Sequence, residues 1–217
     1  MFFPKRCPIC ETIGAAPCAS CARLLVGAGR VPPVPGCSSI AACLRYDAGA
    51  RSLVLALKYR NRRDSVAFCA GELAAHAPVV DLVTWAPSTR RRVRDRGFDQ
   101  AEVLARATAR RLGVPCRATL RRLGDAHQTG LDAAARHIGP GFAARARCVS
   151  GARLLIIDDI VTTGSTFAHA AYALRAAGAR DVHALALAAT PPKRRTIAPP
   201  AGVRRVASWW SPSSADP

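Results

Sequence analysis

The sequence predicts an α/β fold, a mostly parallel sheet flanked by helices, with a small metal knuckle at its N-terminus. Arg153 to Ile157 (RLLII) is an unbroken apolar run of the kind found in strands covered on both faces. A helical stretch, FAHAAYALRAAGA, and a second apolar run, VHALALA, follow it, and strand, helix, strand in that order implies a crossover between parallel neighbours. Cys7, Cys10, Cys18 and Cys21 form two C-x-x-C pairs whose thiolates can converge on one tetrahedral Zn²⁺. With 217 residues, 50% of them hydrophobic, the chain can bury one sizeable core, which favours one main domain with appendages.

Taken in order, residues 1–26 form the knuckle and residues 27–39, which include GAGRVPPVPG, read as a linker. The main domain covers residues 40–190. It opens on a short strand, AACLRY, and a helix, ARSLVLALKYR, with Leu53, Val54 and Leu57 on one face. An alanine-rich helix is expected from Ser65 to Ala77 and a strand from Val79 to Ala86. Asp99 caps the next helix, Glu102 completes a variant capping box, and Gly113 stops it. Residues 117–121 are a further strand candidate. From Arg122 to about Cys148 periodicity is lost, which suggests a long mobile excursion. Residues 191–217 form a basic, proline-rich tail expected to be loosely ordered.

The formal charge of +18, from 32 basic and 14 acidic residues, suits a polyanionic partner: DNA, RNA or a highly phosphorylated metabolite. An arginine-rich compositional bias explains the excess equally well. Trp209 and Trp210 in the tail could stack on single-stranded bases or simply belong to a disordered end. Cys37, Cys43, Cys69, Cys116 and Cys148 lack ligand spacing and read as small buried residues. No run approaches the ~18 to 20 apolar residues of a membrane span, and MFFPKRCPIC places cysteines where a signal peptide keeps its apolar stretch, so a cytoplasmic location is expected.

The chemistry concentrates in RLLIIDDIVTTGST, Arg153 to Thr166. Unpaired carboxylates are costly next to apolar surface, so Asp158 and Asp159 need a compensating role. In open α/β sheets ligands gather at the carboxyl ends of strands, where these acids fall. Thr162, Thr163, Gly164, Ser165 and Thr166 then lie at a helix N-terminus, with free amides, the positive helix dipole and hydroxyl donors suited to one phosphate. The arrangement lacks G-x-x-x-x-G-K-[ST], so a triphosphate is not the expected guest. The two acids could hold the hydroxyls of a sugar whose 5′-phosphate occupies the loop, or balance Mg²⁺ through water.

An acid pair followed by T-T-G-x-T after an aliphatic strand resembles the phosphoribosyl-diphosphate (PRPP) signature of type I phosphoribosyltransferases. Together with the double C-x-x-C, LKYR (57–60), RDRGFDQ (94–100), and QTGL (128–131) with Arg136, it resembles the ComF family, phosphoribosyltransferase-like proteins associated with competence and DNA uptake. The resemblance spans roughly residues 7–190. It implies a type I phosphoribosyltransferase-like fold, Asp158 and Asp159 on the ribose hydroxyls, and Thr162 to Thr166 on the 5′-phosphate. It implies Arg94 and Arg96 as pyrophosphate contacts in the loop APSTRRRVRDRG, and Gln128 and Arg136 in a hood over the site. Mg²⁺ would accompany PRPP and Zn²⁺ would be structural. The implied activity is phosphoribosyl transfer to an unnamed acceptor. Single-stranded DNA and competence proteins are implied as partners, with a non-catalytic nucleic-acid-binding accessory or a PRPP sensor as the competing function. The chain departs from the family pattern at Asp99, where asparagine is usual, and at Gly139, where an asparagine follows the hood arginine.

Overall fold

Alternation and capping along this chain produce six helices and six strands among the residues that the computed structural model describes, 4–59, 63–123 and 141–191. In chain order they are α1 (Ala19–Arg23), β1 (Ser39–Arg45), α2 (Ala48–Tyr59), α3 (Val66–His76), β2 (Leu82–Trp85), α4 (Arg90–Arg96) and α5 (Gln100–Leu112). Then come β3 (Leu120–Arg122), β4 (Phe142–Ala144), β5 (Arg153–Val161), α6 (Ser165–Ala176) and β6 (Asp181–Ala189).

The main sheet has the order β1-β6-β5-β2, and every pairing in it is parallel. A parallel bridge between Val83 and Cys116 extends its outer edge. The central strand, β5, buries Leu154, Leu155, Ile156 and Ile157 completely, as expected for a strand with helices on both faces. One face packs Leu53, Val54 and Leu57 of α2, Leu73 of α3 and Leu104 of α5 around Leu155 and Ile157. The other packs Phe167 and Leu174 of α6, with Leu120 and Phe142, around Leu154 and Ile156.

A second, smaller sheet is built differently from the main one. β3 and β4 form an antiparallel ribbon, and a fully buried hydroxyl pair, Thr119 Oγ1 donating to Thr84 Oγ1 at 2.7 Å, ties its base to β2. Part of the region expected as an excursion is therefore ordered: β4 and a short 3₁₀ turn at Ala146–Cys148 follow residue 141. Gln128 and Arg136 lie outside the described residues, as do Trp209, Trp210 and the tail from residue 192.

Two local readings differ from the sequence expectation. APSTRRRVRDRG is not only a loop: Thr89 Oγ1 accepts from the Arg92 amide and starts α4, and Gly97, at φ +80°, ends it in the left-handed conformation. The Pro/Gly-rich stretch read as a linker lies against the domain. Gly27 bridges Leu44, Arg45 N–H donates to the Val26 carbonyl at 2.7 Å, and Val34 is buried in the core beside α6.

Candidate functional site

At the carboxyl end of β5 the chain passes from buried aliphatics to Asp158, Asp159 and the 162–166 loop, and the helix α6 starts immediately afterwards. Gly164 is its N-cap at φ +78° and has no side chain to cap the first turn; Thr163 Oγ1 accepts the Ser165 amide at 3.3 Å, and the amides that follow it lie at the open end of the helix. Asp158 and Thr162 to Thr166 line a small open hollow of about 30 Å³, too small to enclose a whole phosphate. Thr162 and Thr163 are exposed at its rim.

The acids are unequal. Asp158 Oδ1 accepts the Asp159 amide at 2.8 Å. Burial, and next the charge of Asp159, push the Asp158 carboxyl well above the usual carboxylate range, against the opposing pull of that amide and of Lys58. Asp159 Oδ2 instead meets the Lys58 ammonium at 2.6 Å, with both side chains largely shielded from solvent. Its Oδ1 has no hydrogen-bond partner among the described residues. Lys58 had no assigned role in the sequence reading beyond its place in LKYR. The signal available was compositional: it is the lysine of a domain whose other cations are arginines.

The arginines assigned to pyrophosphate lie on α4. Arg96 Nη1 donates to Gln100 Oε1 at 2.8 Å, whereas Arg94 faces solvent. Asp99, the departure from asparagine, is spent internally: it accepts the Ser88 amide at 2.8 Å, the Ser88 hydroxyl at 3.2 Å and the Ala101 amide at 3.1 Å. Burial raises its pKa although those donors oppose the shift. Glu102 turns outward to Arg106 at 2.8 Å instead of closing a capping box.

A larger cavity, about 1150 Å³, opens between α4, α5 and the β3–β4 ribbon. Arg94, Arg106, Arg121, Arg122 and Arg145 line it, and no residue lines both this groove and the small hollow. Arg106 lies 5.5 Å over the Trp85 ring, so the groove joins cationic walls to an aromatic floor.

At the N-terminus, the sulfurs of Cys7, Cys10, Cys18 and Cys21 all lie within 4.8 Å of one another. Tetrahedral Zn–S bonds of about 2.3 Å require S···S separations of about 3.8 Å. The Cys10–Cys18 separation is 3.7 Å, so the donor set fits zinc. The Cys10 thiol is drawn down to about 6, first by the Thr12 hydroxyl and then by its amide, and the Cys21 thiol is pushed up to about 12, first by Cys10 beside it. Of the remaining cysteines, Cys43 and Cys69 are buried as expected, and Cys37, Cys116 and Cys148 are half-buried. Among the described residues, no helix is long and apolar enough to cross a membrane.

Comparison with known proteins adds a family. A family model described as "Phosphoribosyl transferase domain" matches residues 99–209. A putative ribose-phosphate pyrophosphokinase 2 from Lactococcus lactis is 53% identical over 38 residues, covering 18% of this chain and 12% of that one. Among solved structures, a glutamine PRPP amidotransferase from B. subtilis, complexed with ADP and GMP, is 24% identical with a TM-score of 0.44 over 60% of this chain and 30% of its own. Adenine phosphoribosyltransferase from Thermoanaerobacter pseudethanolicus is 16% identical with a TM-score of 0.38, over 56% of this chain and 78% of its own. The chain thus spans a small part of the pyrophosphokinase and under a third of the amidotransferase.

Proposed function

The chain belongs to the phosphoribosyl transferase domain family, and from that premise we propose that it binds PRPP through Asp158, Asp159 and the Thr162–Thr166 loop. One observation carries the reading: the acid pair lies in the C-terminal half of the central strand, and the loop Thr162, Thr163, Gly164 leads from the end of that strand into the N-terminus of α6, whose N-cap is a glycine with no side chain of its own. The 5′-phosphate is received by the amides and hydroxyls of the loop. Asp159 Oδ1 is the oxygen open to a sugar hydroxyl or to a metal-bound water.

In this reading the bond between the anomeric carbon and the pyrophosphate oxygen breaks, its electrons leave with pyrophosphate, and an acceptor nucleophile bonds to the carbon. Asp159 would help hold a magnesium ion bound with PRPP, and the ion would supply charge neutralisation to that leaving group. Arg94 adds a guanidinium from α4, while Arg96 is held by Gln100 and supports the loop. The order of the N-terminal cysteines, LKYR, RDRGFDQ and the acid–threonine loop supports placement in the ComF family, with a link to competence and DNA uptake. A PRPP sensor without turnover would share the binding step and release no pyrophosphate.

Calorimetric titration of PRPP with Mg²⁺ tests the binding step. The wild type should bind, and the double variant Asp158→Asn/Asp159→Asn should lose at least tenfold in affinity, since charge-assisted hydrogen bonds contribute about 1.5–3 kcal/mol each. Absence of binding by the wild type defeats the reading.

The arginine groove favours a second reading, a non-catalytic accessory that holds single-stranded nucleic acid along α4, α5 and the ribbon. Affinity for single-stranded DNA should then fall steeply with salt, with a log–log slope of about −0.7 for each phosphate neutralised. Arg121→Ala/Arg145→Ala should flatten that slope, and a salt-independent wild-type affinity rules out the arginine–phosphate interface.

A further inference from the structure

We propose that Lys58 is a positioning residue that makes the sugar site selective for ribose over deoxyribose phosphates, by fixing the Asp159 carboxylate with one oxygen open. The inference rests on the sugar-phosphate reading of the 158–166 segment.

The geometry is asymmetric. Lys58 stands in the last turn of α2 and its ammonium lies 2.6 Å from Asp159 Oδ2, with side-chain exposures of 18% and 15%. Oδ1 of the same carboxylate has no partner among the described residues. Asp158 beside it is engaged by the Asp159 amide. Asp159 therefore offers an anchored, oriented acceptor at the end of β5.

Stability alone does not account for the pair. Buried ion pairs are costly to desolvate, and apolar side chains of similar size are often as stabilising. The helix α2 already docks through Leu53, Val54 and Leu57, all buried. The residue type is informative as well. Of 32 basic residues only Lys5, Lys58 and Lys193 are lysines, so arginine is the prevailing cation of this chain. A guanidinium fork grips both oxygens of a carboxylate, whereas an ammonium is a point donor that can hold one and leave the other available.

The charges around Asp159 explain why an anchor is needed. Asp158 is adjacent on β5, and the field of Asp99, from the turn before α5, reaches Asp158 as well. Among the described residues, Lys58 on α2 is the cation that acts on this acidic group. Without it, Asp159 loses the contact that anchors its Oδ2 and is released to several rotamers. A sugar hydroxyl would then have to order the carboxylate as it bound. The phosphate end of the ligand, held by the 162–166 loop, would be unaffected. Loss of Lys58 therefore predicts loss of hydroxyl discrimination rather than uniform weakening.

The test is calorimetric titration of ribose 5-phosphate, 2-deoxyribose 5-phosphate and 3-deoxyribose 5-phosphate into the full chain. The proteins are wild type, K58M, D159N and K58M/D159N, with K58Q as a second substitution should K58M fail to fold. The wild type should prefer ribose 5-phosphate over at least one deoxy sugar by roughly tenfold or more, the worth of a hydrogen bond to a charged group. In K58M that ratio should fall to within about threefold, in line with the loss of most of such a bond. D159N should lose the same discrimination, and K58M should add nothing in the D159N background.

Four results overturn the proposal while leaving the sugar-phosphate reading intact: a wild type that binds all three sugars alike, a K58M that keeps the wild-type ratio, a K58M that weakens all three equally, or failure of both K58M and K58Q to fold. A wild type that does not bind ribose 5-phosphate instead defeats the reading beneath it.

Discussion

Asp158 is held where its charge is least welcome, within the central strand directly after four fully buried side chains, next to a second carboxylate. Its folded-state pKa is raised by burial first and by Asp159 second, which fixes the sign of its effect on stability. The folded protein holds this proton more tightly than the unfolded chain. The favourable contribution is therefore complete below the unfolded aspartate pKa of about 3.9 and disappears as pH rises through the folded value. Asp158→Asn removes the liability while keeping the shape. At neutral pH the variant should melt higher than the wild type, on the order of a few degrees for a chain of this size, and the gap should close as pH falls toward 4. A variant that is less stable than the wild type at neutral pH would show that the carboxylate is compensated after all. Asp81 has the opposite sign: Arg153 holds it down at about 2, so its contribution persists through mild acid.

At the scale of elements, the 162–166 loop, the proposed phosphate site, is shaped by a segment far away in sequence. Val34 packs against Gly164, and a Cβ at that glycine would collide with Val34 Cγ2 in addition to facing φ +78°. The left-handed conformation alone costs a non-glycine residue about 1–2 kcal/mol. Gly164→Ala should therefore lower the melting temperature and abolish ribose 5-phosphate binding, and adding Val34→Ala should recover part of the stability, because only the collision is relieved. Equal stability of the single and double variants in a thermal melt would mean that the strap does not brace the loop. The loop chemistry was legible in the sequence because strand, acids, hydroxyls and helix start are contiguous, and each carries a local signal. The strap and the Lys58–Asp159 pair were not, since they join residues more than a hundred positions apart and composition marks prolines and glycines as connections whether or not they pack. The missed helix α4 did have a local signal, Thr89 at its start and Gly97 at its end, hidden within a run of arginines that read as a loop.

Across the whole molecule, the N-terminal knuckle is joined to the proposed sugar site through one helix. Ile9 and Leu25 pack on the same core cluster as Leu53, Val54 and Leu57, and Gly49, near the start of α2, gives Leu25 the close approach it needs. The same helix delivers Lys58 to Asp159 from its other end. A knuckle held by four thiolates is thus an abutment for α2, and its integrity should reach the acid pair. Zinc should purify with the full chain at one ion per molecule. Its removal by a chelator should release Ile9 and Leu25 from their seat, because structural zinc in small domains supplies about 10–16 kcal/mol of apparent folding energy. The consequence is graded with distance. Chelation or Cys10→Ser/Cys18→Ser should lower the first thermal transition and weaken ribose 5-phosphate binding severalfold, while the opposite face of the sheet, where Leu154 and Ile156 pack on Phe167 and Leu174 of α6, should keep its slow amide exchange. Metal-replete protein that contains no zinc would remove the abutment altogether. Zinc-free protein that binds the sugar phosphate with unchanged affinity would show that α2 is seated by the domain core alone.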